Sequence, residues 1–349
     1  MRVIVVGATG NVGTSVISAL ESDPDVTSIT GVARRLPARR PGRTEWRSAD
    51  VTTSDLRSLF SGADAVINLA WLFQPTHDPV ATWRANVLGG MRVIRAVAEA
   101  GVQILVHASS VGAYSPGPKD RPVDESWPTD GWPRAAYSRE KAYLERVLDT
   151  FERDHPSIRV VRMRPGFIFK RESAAEQRRL FAGPLLPHRL VRRGLVPFVP
   201  DVAGLRFQGM HSADAGEAYR LAVTRSVFGA FNLAADPPLD AAMLAGLLDA
   251  RLVPWSPWLA RTAVAAAWHL HLIPASPGLV EMMLQIPMMD TKRARTVLGW
   301  RPRHTALDAV EELLEGMRTG AGMETPPLAP QAGGPGRIRE LATGAGRRP

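Results

Sequence analysis

The sequence contains no cysteine, which excludes disulfide bonds, thiolate metal sites and cysteine nucleophiles. Lysine is scarce as well: only 4 of the 43 basic residues are Lys, in a chain of 349 residues with a formal net charge of +9. A basic balance permits contact with nucleic acid, but the basic residues are not interleaved with aromatic ones and no recognition motif is present. We therefore expect no nucleic acid among the partners.

Long apolar runs are also missing. The stretch that comes nearest to the length of a membrane span, 252–273, is interrupted by prolines, an arginine and histidines. The first apolar run is a short strand followed by glycines, which differs from the charged and apolar regions of a secretory signal. The sequence therefore predicts a cytoplasmic protein without a membrane span.

The first half of the chain alternates short β-branched runs with helical patterns. Such alternation predicts parallel strands joined by crossover helices. Strands are predicted over 2–6, 28–33, 65–69, 103–107 and 158–163, and helices over 12–20, 80–100 and 135–153. The expected fold is α/β, a doubly wound parallel sheet of the Rossmann type, with ligands at the carboxyl ends of the strands.

The composition changes after residue 169. Residues 1–169 are predicted to form a dinucleotide-binding domain, and 202–235 are predicted to return to it with a late helix and strand. Residues 170–201 and 236–318 are predicted to form a smaller, mostly helical C-terminal substrate lobe. Pro, Gly and charged residues dominate 319–349, so we expect a disordered tail there.

Three glycines separate the first predicted strand from the first helix. The first glycine allows a tight turn, the second lets backbone N–H groups approach a pyrophosphate, and the third lets the helix pack closely on the strand. The helix N-terminus adds partial positive charge at the same place. This pattern predicts a dinucleotide site rather than a purely structural turn. The cofactor-binding residues predicted here are Gly7, Thr9, Gly10, Asn11, Val12 and Gly13.

The end of the second predicted strand carries the residues expected to meet the adenosine ribose. An acidic side chain at this position accepts from the 2′-hydroxyl of NAD, but this chain has Arg34 and Arg35. A guanidinium is the better partner for a 2′-phosphate, so NADP(H) is favoured, and NAD(H) stays possible. A solvated basic loop is the alternative interpretation. After the third strand, Asp50 and Val51 are predicted to border the adenine, unless Asp50 only caps a turn.

The clearest signal for chemistry is the pair Tyr137 and Lys141. Four residues apart on a helix, they share one face, so the phenol and the ammonium can point into one cleft. A free Tyr has a pKa of about 10, which a nearby cation and an oxidised nicotinamide would lower. Ser109 and Ser110 follow a buried strand, where a hydroxyl can polarise a substrate oxygen while Tyr137 transfers the proton. The alternatives are a surface helical pair and serines that cap a turn.

Taken in order along the chain, these motifs resemble those of the extended short-chain dehydrogenases/reductases, a family that includes nucleotide-sugar epimerases and dehydratases. The resemblance covers residues 1–320. Its further matching segments are Asn68-Leu69-Ala70, Asn86-Val87-x-Gly89, Arg164-Pro165-Gly166, Met210-His211-Ser212-Ala213-Asp214 and Leu298-Gly299-Trp300-x-Pro302. The resemblance implies an NAD(P)-dependent oxidoreductase or epimerase.

The resemblance also implies roles for individual residues. The catalytic set would be Ser110, Tyr137 and Lys141, since the family's hydroxyl lies four residues before the tyrosine found here at position 114. Tyr137 and Lys141 would also contact the cofactor, and a homodimer is implied. The remaining cofactor contacts implied by the family are Leu69, Ala70, Asn86 and Pro165.

Two residues depart from the family pattern. Trp71 follows the segment Asn68-Leu69-Ala70, which resembles the family's cofactor loop, at a position where a small residue is usual. This difference predicts a partly filled or reshaped pocket. Lys170 stands where the family often has Gly, which leaves the path of the chain beyond Phe169 open.

The substrate has to be inferred from the variable lobe. Residues 242–289 are unusually apolar and carry three Trp, which favours a small apolar carbonyl or carbinol substrate, although a plain core is the alternative. The runner-up is a nucleotide-sugar epimerase with tightly bound cofactor. A regulator that only senses the dinucleotide is a third candidate, but such relatives usually lack the Tyr/Lys pair. Arginines that could bind a diphosphate are Arg189, Arg192, Arg193 and Arg206.

Overall fold

The strands predicted from the first half of the sequence are present in the computed structural model, which describes residues 1–38, 42–74, 76–182 and 194–330. Their ends differ from the predicted ends by at most two residues. The strands are β1 (Arg2–Val6), β2 (Ser28–Ala33), β3 (Thr44–Ser48), β4 (Ala65–Asn68), β5 (Ile104–Ala108), β6 (Pro122–Val123) and β7 (Arg159–Pro165). The helices are α1 (Asn11–Glu21), α2 (Leu56–Phe60), α3 (Pro79–Trp83), α4 (Gly89–Glu99) and α5 (Ala136–Asp154).

The second half contains shorter elements. Its strands are β8 (Phe167–Phe169), β9 (Phe198–Val202), β10 (Arg206–Phe207), β11 (Gly209–His211), β12 (Gly229–Leu233), β13 (Leu239–Asp240), β14 (Arg251–Trp255) and β15 (Met288–Met289). Its helices are α6 (Ala174–Gln177), α7 (Ser212–Thr224), α8 (Ala241–Leu248), α9 (Pro257–His269), α10 (Pro277–Gln285), α11 (Lys292–Thr296) and α12 (Ala306–Thr319).

Seven strands form one parallel sheet in the order β3-β2-β1-β4-β5-β7-β12. Successive side chains of a strand point to opposite faces, so Val3 and Val5 of β1 pack with α1 and α7, while Ile4 and Val6 pack with α2, α4 and α5. The sheet is therefore covered by helices on both faces. The predicted doubly wound Rossmann-type fold is confirmed, and β12 returns to the sheet beside β7.

The single helix predicted over 80–100 is interrupted. A π-helical turn at Arg84–Leu88 joins α3 to α4. Such turns widen a helix by one residue and are frequent at functional sites. Here the turn carries Asn86, whose side chain is buried beside the loop after β4.

The end of the chain belongs to the main core and not to the lobe. Val310 and Leu313 of α12, together with Trp300, pack in the same buried cluster as β1 and α1. The indole of Trp300 donates to the backbone oxygen of Asp214 on α7, at 2.8 Å. The predicted substrate lobe, 236–318, therefore wrongly includes α12, which packs in the main core. The disordered tail predicted from 319 does not describe 320–330 either, because Leu328 is fully buried; residues 331–349 lie outside the described residues.

The lobe consists of α8, α9 and α10 with short two-stranded sheets, among them β9 with β14 and β6 with β15. Its three Trp residues do not share a pocket. Trp258 is 70% exposed on α9, Trp255 lies against Phe198, and Trp268 stacks on His77. For Trp258 both sequence interpretations, pocket lining and core, are wrong. None of the described helices has the length and apolar character needed to span a membrane.

Candidate active site

The glycine turn between β1 and α1 is built for close approach. Gly7 has φ +85°, and a Cβ atom on it would lie 2.9 Å from the backbone nitrogen of Ala70. A Cβ on Gly13 would collide with the carbonyl oxygen of Gly7. A Cβ on Gly10 would lie 3.6 Å from the carbonyl oxygen of Gly7, an ordinary van der Waals contact, so the turn is less crowded here than at Gly7 and Gly13. The turn therefore brings Leu69 and Ala70 against Gly7, and their contact with the cofactor stays a prediction.

The first turn of α1 has the donors that a pyrophosphate needs. Its N-cap is Gly10, and no side chain among the described residues caps this end. The first N–H groups of a helix have no partner inside it, and they point along the axis with the positive end of the helix dipole. The less crowded position at Gly10 and these uncapped donors fit the diphosphate of a dinucleotide. Thr9 is buried at the same turn.

The residues predicted to hold the adenosine lie at the ends of β2 and β3. Arg34 and Arg35 are exposed after β2. The Asp50 carboxylate accepts from the backbone nitrogen of Thr52 at 2.8 Å and from its hydroxyl at 2.6 Å. Burial alone would raise the pKa of Asp50, but these hydrogen bonds and the charges of Arg34 and Arg92 lower it. Asp50 thus caps a turn while standing close to Arg34, and its contact with adenine stays a prediction.

Val51 serves the packing of the central helix on this side. Its carbonyl oxygen accepts from the Arg92 guanidinium at 2.9 Å. A Cβ on Gly89 would lie 2.7 Å from the Val51 side chain. Gly89, the last residue of the matching segment Asn86-Val87-x-Gly89, therefore allows α4 to approach the loop that carries Asp50 and Val51.

The two serines after β5 point to different partners. The hydroxyl of Ser109 donates inward to Glu145 at 2.5 Å. Ser110 accepts from the backbone nitrogen of Gly112 at 3.0 Å and lies close enough to the phenol of Tyr137 to lower its pKa. The geometry agrees with the choice of Ser110 as the catalytic hydroxyl. It also satisfies the alternative, because Ser110 caps the 3₁₀ turn Val111–Ala113.

Lys141 lies one turn after Tyr137 on α5, with both facing the same cleft. Its ammonium donates to the carbonyl oxygen of Ala108 at 2.7 Å and sits 3.5 Å from the ring centre of Trp71, whereas the ring centre of Tyr137 is 5.9 Å away. Burial lowers the pKa of Lys141 to about 7. The structure therefore brings Ser110, Tyr137 and Lys141 together, and the ring of Trp71 covers the amine of Lys141.

The pKa of Tyr137 differs from the sequence expectation. Burial raises it to about 12, the hydrogen bond from Ser110 opposes that rise, and the charge of Glu140 adds to it. Lys141 is not among the groups that lower the pKa of Tyr137, since its amine donates to Ala108 and lies against Trp71, 5.9 Å from the centre of the Tyr137 ring. The pKa of Tyr137 can therefore fall below its ordinary value only if the surroundings of Tyr137 and Lys141 change.

Aromatic rings close the cleft around Tyr137. Phe73 stacks on the Tyr137 ring with centres 5.0 Å apart, and Trp71 meets the same ring edge-on at 5.5 Å. The remaining cavity, which Phe181 and Leu279 help to line, measures about 40 Å³. Pockets for small molecules are usually about 300–1,000 Å³, so Trp71 and Phe73 fill most of the space beside Tyr137 in this structure. The buried Nε1 of Trp71 has no hydrogen-bond partner among the described residues.

The loop that carries these rings is fixed by Asn86. Its side-chain oxygen accepts from the backbone nitrogen of Leu72 at 2.7 Å, and its side-chain nitrogen donates to the Leu72 oxygen at 2.9 Å and to Glu140 at 2.7 Å. Glu140 also accepts from Thr82 at 2.6 Å. Asn86 therefore positions the loop after β4, and its predicted contact with cofactor stays a prediction. Glu140 was missed, although its place within the Tyr137–Lys141 segment was a signal.

A buried ionic network supports the end of β5 from below. Arg164 makes two hydrogen bonds with Glu145, each 2.9 Å long, and a third at 3.0 Å with the hydroxyl of Tyr114. Arg162 contacts the same carboxylate at 3.0 Å. Burial alone would raise the pKa of Glu145, but Arg164, Ser109 and Arg162 lower it to about 2. Pro165, predicted to contact the cofactor, follows Arg164 at the end of β7.

Comparison with known proteins places this site in context. The sequence model of the NAD dependent epimerase/dehydratase family matches residues 3–182, just over half of the chain. A 3-diazoavenalumate denitrifying reductase of a Streptomyces species is 27% identical over 326 residues, which cover 87% of this chain and 97% of the relative. The match agrees with the resemblance inferred from the motifs.

Two further proteins are similar to this chain. A 4-hydroxy-2-methyl-3-oxo-4-farnesyl-3,4-dihydroquinoline-1-oxide ketoreductase of Stigmatella aurantiaca is 28% identical over 188 residues, 50% of this chain and only 52% of the ketoreductase. A UDP-glucose 4-epimerase of Thermus thermophilus, solved in complex with NAD, superposes with a TM-score of 0.67 at 19% identity, over 91% of this chain and 99% of the epimerase. At that identity the likeness shows the fold.

Proposed function

The chain belongs to the NAD dependent epimerase/dehydratase family, and on that premise we propose that it moves a hydride between a nicotinamide and the carbinol or ketone carbon of a small, rather apolar substrate. Family membership and reductase relatives confirm the prediction of an enzyme of the extended short-chain dehydrogenase/reductase type. The observation that carries the proposed reaction is the proximity of Ser110 to the phenol of Tyr137, with Lys141 one helical turn away on α5.

In the proposed reaction, a bound nicotinamide supplies the hydride to a carbonyl carbon, or accepts it from a carbinol carbon. Tyr137 donates its phenolic proton to the oxygen of a carbonyl substrate, or takes the proton from a carbinol. Ser110 donates a hydrogen bond to that same oxygen. Lys141 holds the nicotinamide ribose. Once its amine leaves the face of Trp71 and is charged, it favours the phenolate of Tyr137 and lowers the pKa of that group.

The rings around Tyr137 support an apolar substrate. Trp71 and Phe73 contact the ring of Tyr137, Phe181 packs edge-on against Phe73, and Leu279 adds an aliphatic side chain from the lobe. Apolar walls with a few convergent polar groups are typical of sites for small, weakly polar molecules. The aromatic side chains that favour an apolar substrate are therefore mainly those of the loop after β4, and not the three Trp residues of the lobe.

A nucleotide-sugar epimerase is the second candidate, because the solved epimerase shares the fold. Of the arginines proposed to bind a diphosphate, Arg206 is exposed and donates to the backbone oxygen of Lys119 at 3.1 Å. The other three lie outside the described residues. A regulator without turnover remains the candidate from another class, and the Tyr137/Lys141 pair speaks against it.

A substrate screen tests the proposed reaction. Purified protein with NADPH or NADH is mixed with aryl and alkyl ketones and, separately, with UDP-sugars, and nicotinamide absorbance is followed. We expect loss of absorbance with apolar ketones. Products are also separated, because epimerisation returns the hydride and leaves absorbance unchanged. Epimerised sugar without ketone reduction would select the second candidate, and cofactor binding without any product would select the regulator.

Arg34 provides a test of cofactor choice. We expect NADPH to bind about tenfold more tightly than NADH, which corresponds to ~1.4 kcal/mol, because a guanidinium pairs well with a 2′-phosphate. Arg34→Ser should remove that difference by weakening NADPH binding alone, as measured by titration calorimetry. Arg153→Ser, which removes an exposed Arg at the end of α5, serves as the control. Equal affinities of the unaltered protein for both cofactors would refute the NADP(H) preference.

A further inference from the structure

Lys170 occupies the position where the sequence departs from the family's usual glycine, and its side chain is buried. The chain after β8 turns so that the Lys170 ammonium reaches the first turn of α1. It donates to the hydroxyl of Thr14 at 2.6 Å, to the carbonyl oxygen of Asn11 at 3.0 Å, and to the hydroxyl of Ser15 at 3.4 Å. The residue that differs from the family's usual glycine therefore contacts the helix turn that follows the glycine turn.

The carbonyl of Asn11 is the centre of this contact. Besides Lys170, the hydroxyl of Ser212 donates to it at 3.0 Å, and Ser212 also bonds to Ser15 at 2.9 Å. The carbonyl of Asn11 and the N–H of Val12 belong to one peptide group. Hydrogen bonds to a carbonyl polarise its peptide and make the N–H at the other end a stronger donor. That N–H is in the uncapped first turn of α1.

The partners of the ammonium are all uncharged oxygens, as far as the described residues show. Glu172 and Glu176, on the segment that follows Lys170, act on it at longer range. Charged groups on neighbouring elements are already paired: His211 with Glu312 of α12, and Asp214 with His304. A buried cation beside the positive end of a helix is unfavourable unless an anion joins it. Burial accordingly lowers the pKa of Lys170 to about 8.

We propose that Lys170 is a positioning residue of the dinucleotide site, whose ammonium polarises the Asn11–Val12 peptide and so strengthens the Val12 N–H as a donor to the pyrophosphate. This inference rests on the proposed function, because it presumes that a dinucleotide binds at the glycine turn. One further atom supports a ligand at this turn: the buried Oδ1 of Asn11 has no partner among the described residues and, as an acceptor, would take a hydrogen bond from a hydroxyl or amide of the dinucleotide and not from its phosphates. The pyrophosphate is the anion that the buried cation requires.

The test compares ligands with and without phosphate. Binding of NADPH, ADP and adenosine is measured by calorimetry for the unaltered protein, for Lys170→Met, and for the milder Ser212→Ala. We expect Lys170→Met to weaken NADPH and ADP about tenfold, equal to ~1.4 kcal/mol, and to leave adenosine unchanged. Ser212→Ala should weaken the same two ligands by about threefold. Lys292→Met removes the same charge from an exposed site on α11 and should change none of them.

A pH series on the unaltered protein keeps the inference testable if Lys170→Met does not fold. ADP affinity should fall as pH rises from 7 to 9, because the Lys170 amine, with a pKa of about 8 in the unliganded protein, polarises the Asn11–Val12 peptide only while it carries its proton. ADP lacks the nicotinamide ribose, so Lys141 does not contribute. A flat profile, or equal loss of ADP and adenosine in Lys170→Met, would overturn the inference alone. Unaltered protein that binds no dinucleotide would overturn the proposed function with it.

Discussion

Tyr137→Phe is expected to lower turnover by about 10³-fold, within the range of about 10²–10⁴ that a positioned proton donor contributes. The substitution removes only the hydroxyl that bonds to Ser110. The ring keeps its stacking on Phe73 and its edge contact with Trp71, so the fold and the cleft should persist. Cofactor affinity should change little, because the ribose contact proposed for Lys141 remains. Steady-state rates, cofactor titration and a melting curve measure these three quantities.

The same helix offers a matched control. Tyr143 lies six residues further along α5 and is 42% exposed, with its ring against Trp83. Tyr143→Phe deletes the same hydroxyl outside the cleft and should leave turnover unchanged. If Tyr137→Phe retained full turnover with folding intact, proton transfer by Tyr137 would be wrong. If it lost cofactor affinity in parallel, the phenol would have a binding role.

The fold was predictable because its signals are local. Each strand predicted in the first half contains a short apolar run, and the turn at Gly7 needs a positive φ that glycine readily supplies. Once strands and crossovers are known, the order of the sheet follows from right-handed connections. Ser110, Tyr137 and Lys141 then meet because the end of β5 and the start of α5 lie at the same edge. Spacing predicted the shared face of Tyr137 and Lys141 and the serines at the strand end, and the family resemblance selected Ser110.

The supports of the site depend on contacts between distant parts of the chain. Glu145 meets Arg164 across 19 residues, and Asn86 meets Glu140 across 54. No spacing rule joins such pairs, and a charged residue on a helix reads as solvent-exposed. The position of Trp71 over Lys141 could not be predicted either, because the two residues are distant in sequence. The unusual Trp71 itself predicted only that the pocket is reshaped. Lys170 likewise showed its role only when its partners on α1 were known.

Glu145→Gln is expected to lower the free energy of unfolding by about 3–5 kcal/mol, the usual cost of breaking a buried ion pair from one side. The Glu145 side chain is fully buried, and its carboxylate serves both Arg162 and Arg164, whose side chains are 7% and 6% exposed. Glutamine keeps the shape but leaves two guanidiniums with one negative partner fewer. Ser109 also loses a charged acceptor. Chemical denaturation monitored by circular dichroism measures the difference.

Glu152→Gln gives the matched control, because Glu152 binds the same Arg162 at 2.8 Å from a position 36% exposed. Its loss should cost less than about 1 kcal/mol, as for ion pairs near the surface. The pH dependence separates the two further. With a folded pKa of about 2 against 4.5 in its ordinary state, Glu145 contributes its full stability above pH 4.5 and loses it as pH falls toward 2. The gap between unaltered protein and Glu145→Gln should therefore narrow through that window. A constant gap, or equal effects of both substitutions, would mean that the Glu145 charge does not hold the end of β5.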